Sequence, residues 1–321
     1  MDTAILLISA DRADCLEHSL PLALAQEGAE VTVIDNASSD ATGQLARESG
    51  ARHLRLPERI SWAAANNRGI ETTEGGAVLL LNADCFLDPG FLAAAAPRLG
   101  EDGVGSVTPE LLRTEGPLPE QRLDAIDCVG ISLDRRRKNT LLGHGRPALA
   151  YDEPGPAFGP DGAAALLRRE MLEDCALEGQ VLDETLEKWA SDVDLTWRGH
   201  VLGWRSAYEP RARGWHIRSY SPSTRAAVPP RDRRIQFRNR YLMMAANDTP
   251  AGLAGDLPRI LAYEVLALGH VLLRERHLLR GYVEARRLLP RARRRRELID
   301  RKLRESGRGR CEVPFGLEPT P

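Results

Sequence analysis

Short apolar runs alternate with helical segments over the first hundred residues, and each run breaks off into polar or acidic residues at its carboxyl end. The runs are residues 4–8, 31–34 and 77–81, with a weaker one at 53–56. Continuous apolar stretches of this length suit strands buried on both faces. The spacing between them predicts helices over residues 14–26, 41–49, 63–72 and from about 88 to 98, the second closed by Gly50. Strands alternating with helices across short loops predict an α/β fold with a parallel, doubly wound central sheet flanked by helices. In such sheets the ligand sits beyond the carboxyl ends of the strands. Position alone therefore singles out Asp35 after the second strand and Asn82-Ala83-Asp84 after the strongest one.

The remainder of the chain is less regular. Pro, Gly and charged clusters recur between residues 100 and 159, which read as loops and antiparallel pieces. A strand is expected at 163–167 with a short helix after it, then a helix at 192–199 capped by Ser191 or Asp192. A strand at 204–208 leads into a loop or short strand ending at His216. From residue 257 to 304 the pattern is helical and basic, and a boundary near 248–250 divides residues 1–248 from a helical extension, 249–321. Residues 251–321 hold 16 Lys and Arg against nine Asp and Glu, while the first 250 hold 28 against 37. A basic tail on an acidic body suggests a partner for the tail. An anionic membrane surface suits its amphipathic part (257–304). Packing on residues 1–248, or on a second copy in a homodimer, suits it equally. Nucleic acid is not expected, because no helix-turn-helix, zinc or RNP-like signature accompanies the arginines.

The five cysteines are scattered, odd in number and without CxxC spacing, so neither a zinc site nor a disulfide framework is indicated. The first residues lack a basic segment before an apolar core, and no 18-residue apolar run occurs. The expected location is cytoplasmic, with peripheral attachment at the inner face of the membrane as the variant that the tail suggests.

Several residue types fit donor and acceptor chemistry. Asp35 stands where a carboxylate can accept from a base or ribose, and Ser38 or Ser39 would cap the helix that follows. Asn82 and Asp84 are two apart, which in an extended segment points both toward one divalent cation. Asp192 and Asp194 open a helix: Asp192 suits a general base, and Asp194 pairs with Arg198 at i,i+4. His216 could support a cation site.

Taken in order, these segments resemble family-2 glycosyltransferases of the GT-A fold, in particular a rhamnosyltransferase-like branch. The matching stretches are Ser9-Ala10-Asp11-Arg12, Asp35 to Asp40, Asn66-Asn67-Arg68-Gly69, Leu80 to Asp84, Gly162 to Arg169, Ser191 to Arg198, Gly203-Trp204 and His216. They cover roughly residues 3–245. The resemblance implies an inverting transfer from a dTDP- or UDP-sugar, with dTDP-rhamnose among the donors, to a hydroxyl of a glycan or lipid-linked acceptor. It implies that Ser9, Asp35, Asn36, Asn66 and Asn82 contact the nucleotide. It further implies that Asp84, supported by His216, holds Mg²⁺ or Mn²⁺ and that Asp192 deprotonates the acceptor. Trp189, Asp194 and Arg198 would lie on the acceptor side.

Three positions depart from the family's pattern. Ser191 replaces an acid, which should lower the pKa of Asp192 relative to its family counterpart. Ala10-Asp11 replaces an aromatic-Asn pair, and Ala83 replaces a proline. Ser191 and Ala10 keep a second reading open, a non-catalytic scaffold that binds sugar nucleotides. A sugar-phosphate nucleotidyltransferase would want a Gly-rich phosphate loop after the first strand, and residues 9–15 contain no glycine.

Overall fold

A computed structural model describes residues 1–218, 225 and 227–320. The elements run β1 (Thr3–Ser9), α1 (Ala13–Leu24), β2 (Ala29–Asp35), α2 (Thr42–Glu48), β3 (Arg52–Arg55), α3 (Trp62–Glu71), β4 (Ala77–Asn82), β5 (Cys85–Leu87) and α4 (Phe91–Leu99). They continue with β6 (Val104–Thr114), β7 (Arg122–Cys128), β8 (Ile131–Leu133), β9 (Asn139–Leu141), β10 (Gly155–Ala157), β11 (Ala164–Arg168), α5 (Arg169–Cys175), α6 (Ser191–Leu202) and β12 (Arg205–His216). Three helices follow: α7 (Pro230–Asn247), α8 (Pro250–Leu273) and α9 (Leu279–Glu305).

The main sheet has the order β10-β12-β6-β11-β4-β1-β2-β3, with β5 against β12 and β7 against β6. β1 is the hub. Its register pairs Ser9 with Asp35 of β2, and Ile8 with Asn82 of β4, so three strand ends reach one edge together. Alternation divides each central strand between two cores. Leu6, Ile8, Val78 and Leu80 face the core shared with α3, α5, α6, α7 and α9, while Ile5, Leu7, Leu79 and Leu81 face α1 and α4.

The sheet is mixed rather than simply parallel. β1 to β4 are mutually parallel, but β11 runs antiparallel between β4 and β6. The stretch expected as loops also contains β6, an 11-residue strand in the middle of the sheet. Polar Ser106, Thr108 and Glu110 alternate with Val107, Pro109 and Leu111, so no continuous apolar run marks the strand, yet all three polar residues are buried. Ser106 meets Ser206, and Glu110 is paired with Arg213 at 2.5 Å. Residues 210–216 are likewise strand. Pro210 falls where the β12–β6 register shifts between Glu209 and Arg213, and pairing resumes beyond that bulge to carry His216 to the edge.

The C-terminal segment is not detached from the rest. α9 lies along α7 and contributes Ala292, Ile299 and Leu303 to the core that holds β1 and β4. After α9 the chain turns back: Cys311 N–H donates to Val201 O at 3.0 Å and Gly316 N–H to Leu133 O at 2.9 Å. The Phe315 ring meets Trp197 edge-on, with centroids 5.5 Å apart.

Candidate active site

β4 ends at Asn82, and Ala83-Asp84 forms a turn before β5. Asn82 and Asp84 therefore do not share one side as an extended segment would require. Asn82 Oδ1 accepts from Trp62 Nε1 at 2.9 Å. Asp84 turns the other way. Its Oδ2 accepts from Arg12 Nη1 at 3.2 Å, and its Oδ1 lies 3.5 Å from His216 Nε2. Burial opposes the charge on Asp84, but His216 and Arg12 outweigh it and hold the carboxyl below its usual range.

His216 sits between two carboxylates. Its Nδ1 is 2.9 Å from Asp127 Oδ2, leaving Nε2 facing Asp84. Burial disfavours the imidazolium, yet the bonds to Asp127 and then Asp84 raise its pKa to about 9. Asp127 is itself clamped by Arg218, whose Nε and Nη2 donate at 2.7 and 2.8 Å, and it stays ionised well below the usual range despite burial. Arg218 Nη2 also reaches Asp161 Oδ2 at 3.2 Å. A His anchored at Nδ1 by a carboxylate, with Nε2 beside another acid, is how imidazole ligands are oriented toward metals. Among the described residues no group of three or more His, Cys, Asp and Glu could hold an ion. The protein would thus supply two ligands, which suits an ion completed by phosphate and water.

Asp192 opens α6. Neither it nor Ser191 caps the helix: the cap position is Ala190, in the left-handed conformation. Asp192 Oδ2 instead accepts from Gly162 N–H at 3.0 Å, and Oδ1 from Val193 N–H at 2.8 Å. A Cβ at position 162 would come within 2.9 Å of the Trp62 ring and 3.4 Å of the Asp192 carboxylate, so glycine lets these two groups close in. The expected lowering at Asp192 is outweighed. Loss of solvation, then the like charge of Asp161, pushes its carboxyl up to about 6.

The loop before α6 is strained. Glu187, Trp189 and Ala190 have φ of 53°, 60° and 68°, a region that non-glycine residues rarely adopt. Asn239 of α7 holds it by donating through Nδ2 to the carbonyls of Leu186, Lys188 and Trp189 at 2.7, 3.2 and 3.3 Å.

The residues expected to contact the nucleotide lie at the ends of β1, β2 and β4 and on α3. Ser9 Oγ meets Thr42 Oγ1 at 3.1 Å. Asp35 is fully buried and accepts from Ser38 N–H at 2.8 Å, with Arg55 and His53 on its other oxygen. Asn36 exchanges two hydrogen bonds with the Ile60 backbone. Asn66 Nδ2 donates to Trp62 O at 2.9 Å, while its buried Oδ1 has no partner among the described residues. Neither Ser38 nor Ser39 caps α2. Ser38 Oγ accepts from Asp11 N–H, and Asp40 bonds Ala13 N–H and Thr42 N–H, tying the two strand-end loops together.

The expected acceptor-side group separates. Trp189 stays beside the α6 start, its ring under Lys188 Nζ at 4.9 Å. Asp194 and Arg198 do pair at 3.3 Å, but both are buried, with Asn247 donating to Asp194 and Arg198 donating to Val181 O. Two residues along a helix is about 200° of rotation, so Asp194 must face away from Asp192. It points toward α9, where Arg295 lies 3.9 Å away and also pairs with Asp183. The groups that sequence reasoning missed are Trp62, Asp127, Asp161, Arg218 and Asn239. Only Asp161-Gly162, just ahead of a predicted strand, carried a local signal.

A family model described as glycosyl transferase family 2 matches residues 5–176. The succinoglycan biosynthesis protein ExoU of Rhizobium meliloti (strain 1021) is 34% identical over 220 residues, covering 64% of this chain and 58% of that protein. The chain thus spans less than two thirds of that relative's length. Among solved structures, S. aureus TarS 1–349 in complex with UDP-GlcNAc aligns with a TM-score of 0.59 at 16% identity, over 96% of this chain and 93% of that one. GalNAc-T7 with UDP, GalNAc and Mn²⁺ aligns with a TM-score of 0.57 at 14% identity, over 76% and 48%. At these identities the two structures speak to fold, which is that of GT-A glycosyltransferases.

Proposed function

Since the chain belongs to glycosyl transferase family 2, we propose that it moves a sugar from a nucleoside-diphosphate donor to a hydroxyl of a glycan or lipid-linked acceptor, with inversion. The observation that carries this reading is a site with two ends. At one, Asp84 and an imidazole oriented by Asp127 face each other 3.5 Å apart. At the other, Asp192 is held beside Trp62 and Gly162, with burial and then Asp161 pushing its carboxyl up to about 6.

Asp84 and His216 are the residues that would hold Mg²⁺ or Mn²⁺. A bound divalent ion offsets charge on a departing diphosphate. Arg12, already on Asp84, adds a fixed positive charge on the same side. Asp35, Asn36 and Ser9 shape the wall for base and ribose, and the unpartnered Oδ1 of Asn66 offers an acceptor there. Asp192 takes the proton from the acceptor hydroxyl as the oxygen attacks, which suits a base whose pKa lies close to the working pH. Attack from the face opposite the leaving group inverts the anomeric centre. The donor is proposed as a dTDP- or UDP-sugar, dTDP-rhamnose included.

Thermal-shift screening against nucleotide sugars with and without Mn²⁺ or Mg²⁺, followed by nucleotide release from the best donor, tests the reading. We expect one donor class to raise Tm in a metal-dependent way. EDTA should stop turnover, and either ion should restore it. Turnover unaffected by EDTA would remove the role given to Asp84 and His216. Donor binding without release of nucleotide, with or without acceptor, would favour the non-catalytic scaffold.

A further inference from the structure

Helix α8 touches the rest of the protein through one side only. Asp256, Ile260 and Val271 are its buried residues. At 100° per residue these fall in one sector with Tyr263, Glu264 and Ala267. The opposite half of the helix is apolar and faces outward. Leu257, Leu261, Val265, Leu266, Leu272 and Leu273 are all exposed, with Val265 at 71%, Leu266 at 74% and Leu273 at 81%. On a helical wheel they share an arc of about 180° that holds no charged residue; Arg259 and His270 lie just outside its edge. Leu279 and Val283 at the start of α9 are exposed as well. A surface helix of a soluble protein normally turns this half polar, and a contiguous apolar face of this size marks an interaction site.

The charges around the face have one sign. Each acid of the segment is turned inward and paired: Asp256 with Arg137, Glu264 with Arg240, Glu275 with Arg225 and Arg233, Glu284 with Arg234. Arg274, Arg276 and Arg280 are exposed beside the apolar face and have no acidic partner among the described residues. A second copy docked on the same face would bring two such clusters into one contact with no acid to offset them. Among the described residues no helix is long and apolar enough to cross a membrane.

We propose that the outer face of α8, with the arginines that follow it, lies flat on an anionic lipid surface. The apolar half-cylinder enters the headgroup–acyl boundary, and Arg274, Arg276 and Arg280 meet the lipid phosphates. This narrows the sequence reading of residues 257–304, because most of α9 is committed to packing on α7 and the core. The contact does not depend on which donor or acceptor the site uses.

Flotation of the full chain with phosphatidylglycerol–phosphatidylcholine vesicles, against pure phosphatidylcholine vesicles, tests it. Binding to the anionic vesicles should exceed binding to neutral ones and weaken with added salt. The double variant Leu266→Ser/Leu273→Ser should lower the bound fraction by about tenfold or more, with Tm unchanged because both sites are exposed. Inorganic phosphate at matched ionic strength should not displace the protein. Displacement by phosphate would make the arginines a free-anion site. A variant that floats like the parent, or no flotation at all, would overturn the proposal. So would a vesicle-free dimer, seen by sedimentation velocity, that the same variant dissociates, because it would assign the face to a second copy.

Discussion

Burial, and after it the like charge of Asp161, pushes the Asp192 carboxyl up to about 6. In the proposed role only the ionised form accepts a proton. Turnover should therefore rise with pH through about 6 and level off above it. Asp161→Asn removes the like charge and should move that limb to lower pH, read from kcat/KM against pH. The linkage has its own sign. The folded pKa lies above the ordinary value of 3.8, so the ionised group opposes folding, fully so above pH 6 and not at all once pH is well below 4. Asp192→Asn should then cost about 10²- to 10⁴-fold in transfer, leave donor binding intact, and melt at pH 8 no lower than the parent. A lower Tm together with lost donor binding would mean a structural role instead. Asp35, Asp84, Asp192 and His216 were legible in the sequence because each follows a strand or opens a helix. Asp127 was not, because its partner His216 is 89 residues away, and no local pattern records such a pairing.

Elements explain how Asp192 is aimed. The strained loop at 187–190 would relax without its clamp, and that clamp is one amide on α7 donating to three carbonyls. Asn239→Leu should destabilise the protein by about 1–3 kcal/mol and lower kcat by roughly tenfold to a hundredfold, with little change in donor KM. Asn239→Asp keeps the shape but loses the donor, so it should be as damaging; a silent Asp variant would show that shape alone suffices. The helices and strands of the first hundred residues followed the apolar spacing closely. β6 and the second half of β12 did not, since Ser106, Thr108 and Glu110 interrupt any continuous apolar run, although they are buried, and Pro210 reads as a stop. Ser106 and Glu110 find their partners, Ser206 and Arg213, only on the distant strand β12.

At the scale of the molecule, the break at 248–250 separates two helices more than two units. α9 fills the main core with Ala292, Ile299 and Leu303, and Arg295 sits among Asp183 and Asp194. Ending the chain at residue 248 would expose that core and leave buried Asp183 without the counter-charge of Arg295. We expect the full chain to unfold in one calorimetric transition and the truncated chain to be insoluble or molten; a cooperative, donor-binding 1–248 fragment would refute this. The sequence by itself determined the α/β class, the strand ends that carry the proposed site and the basic amphipathic tail, because apolar periodicity and chain-end chemistry are local. The tertiary structure alone decided that Asp84 and Asn82 part company, that Asp194 turns inward while Asp192 stays at the site, and that α9 joins the core while α8 keeps a bare apolar face. Those outcomes depend on which distant groups meet and are thereby desolvated or paired, and a linear pattern does not encode that.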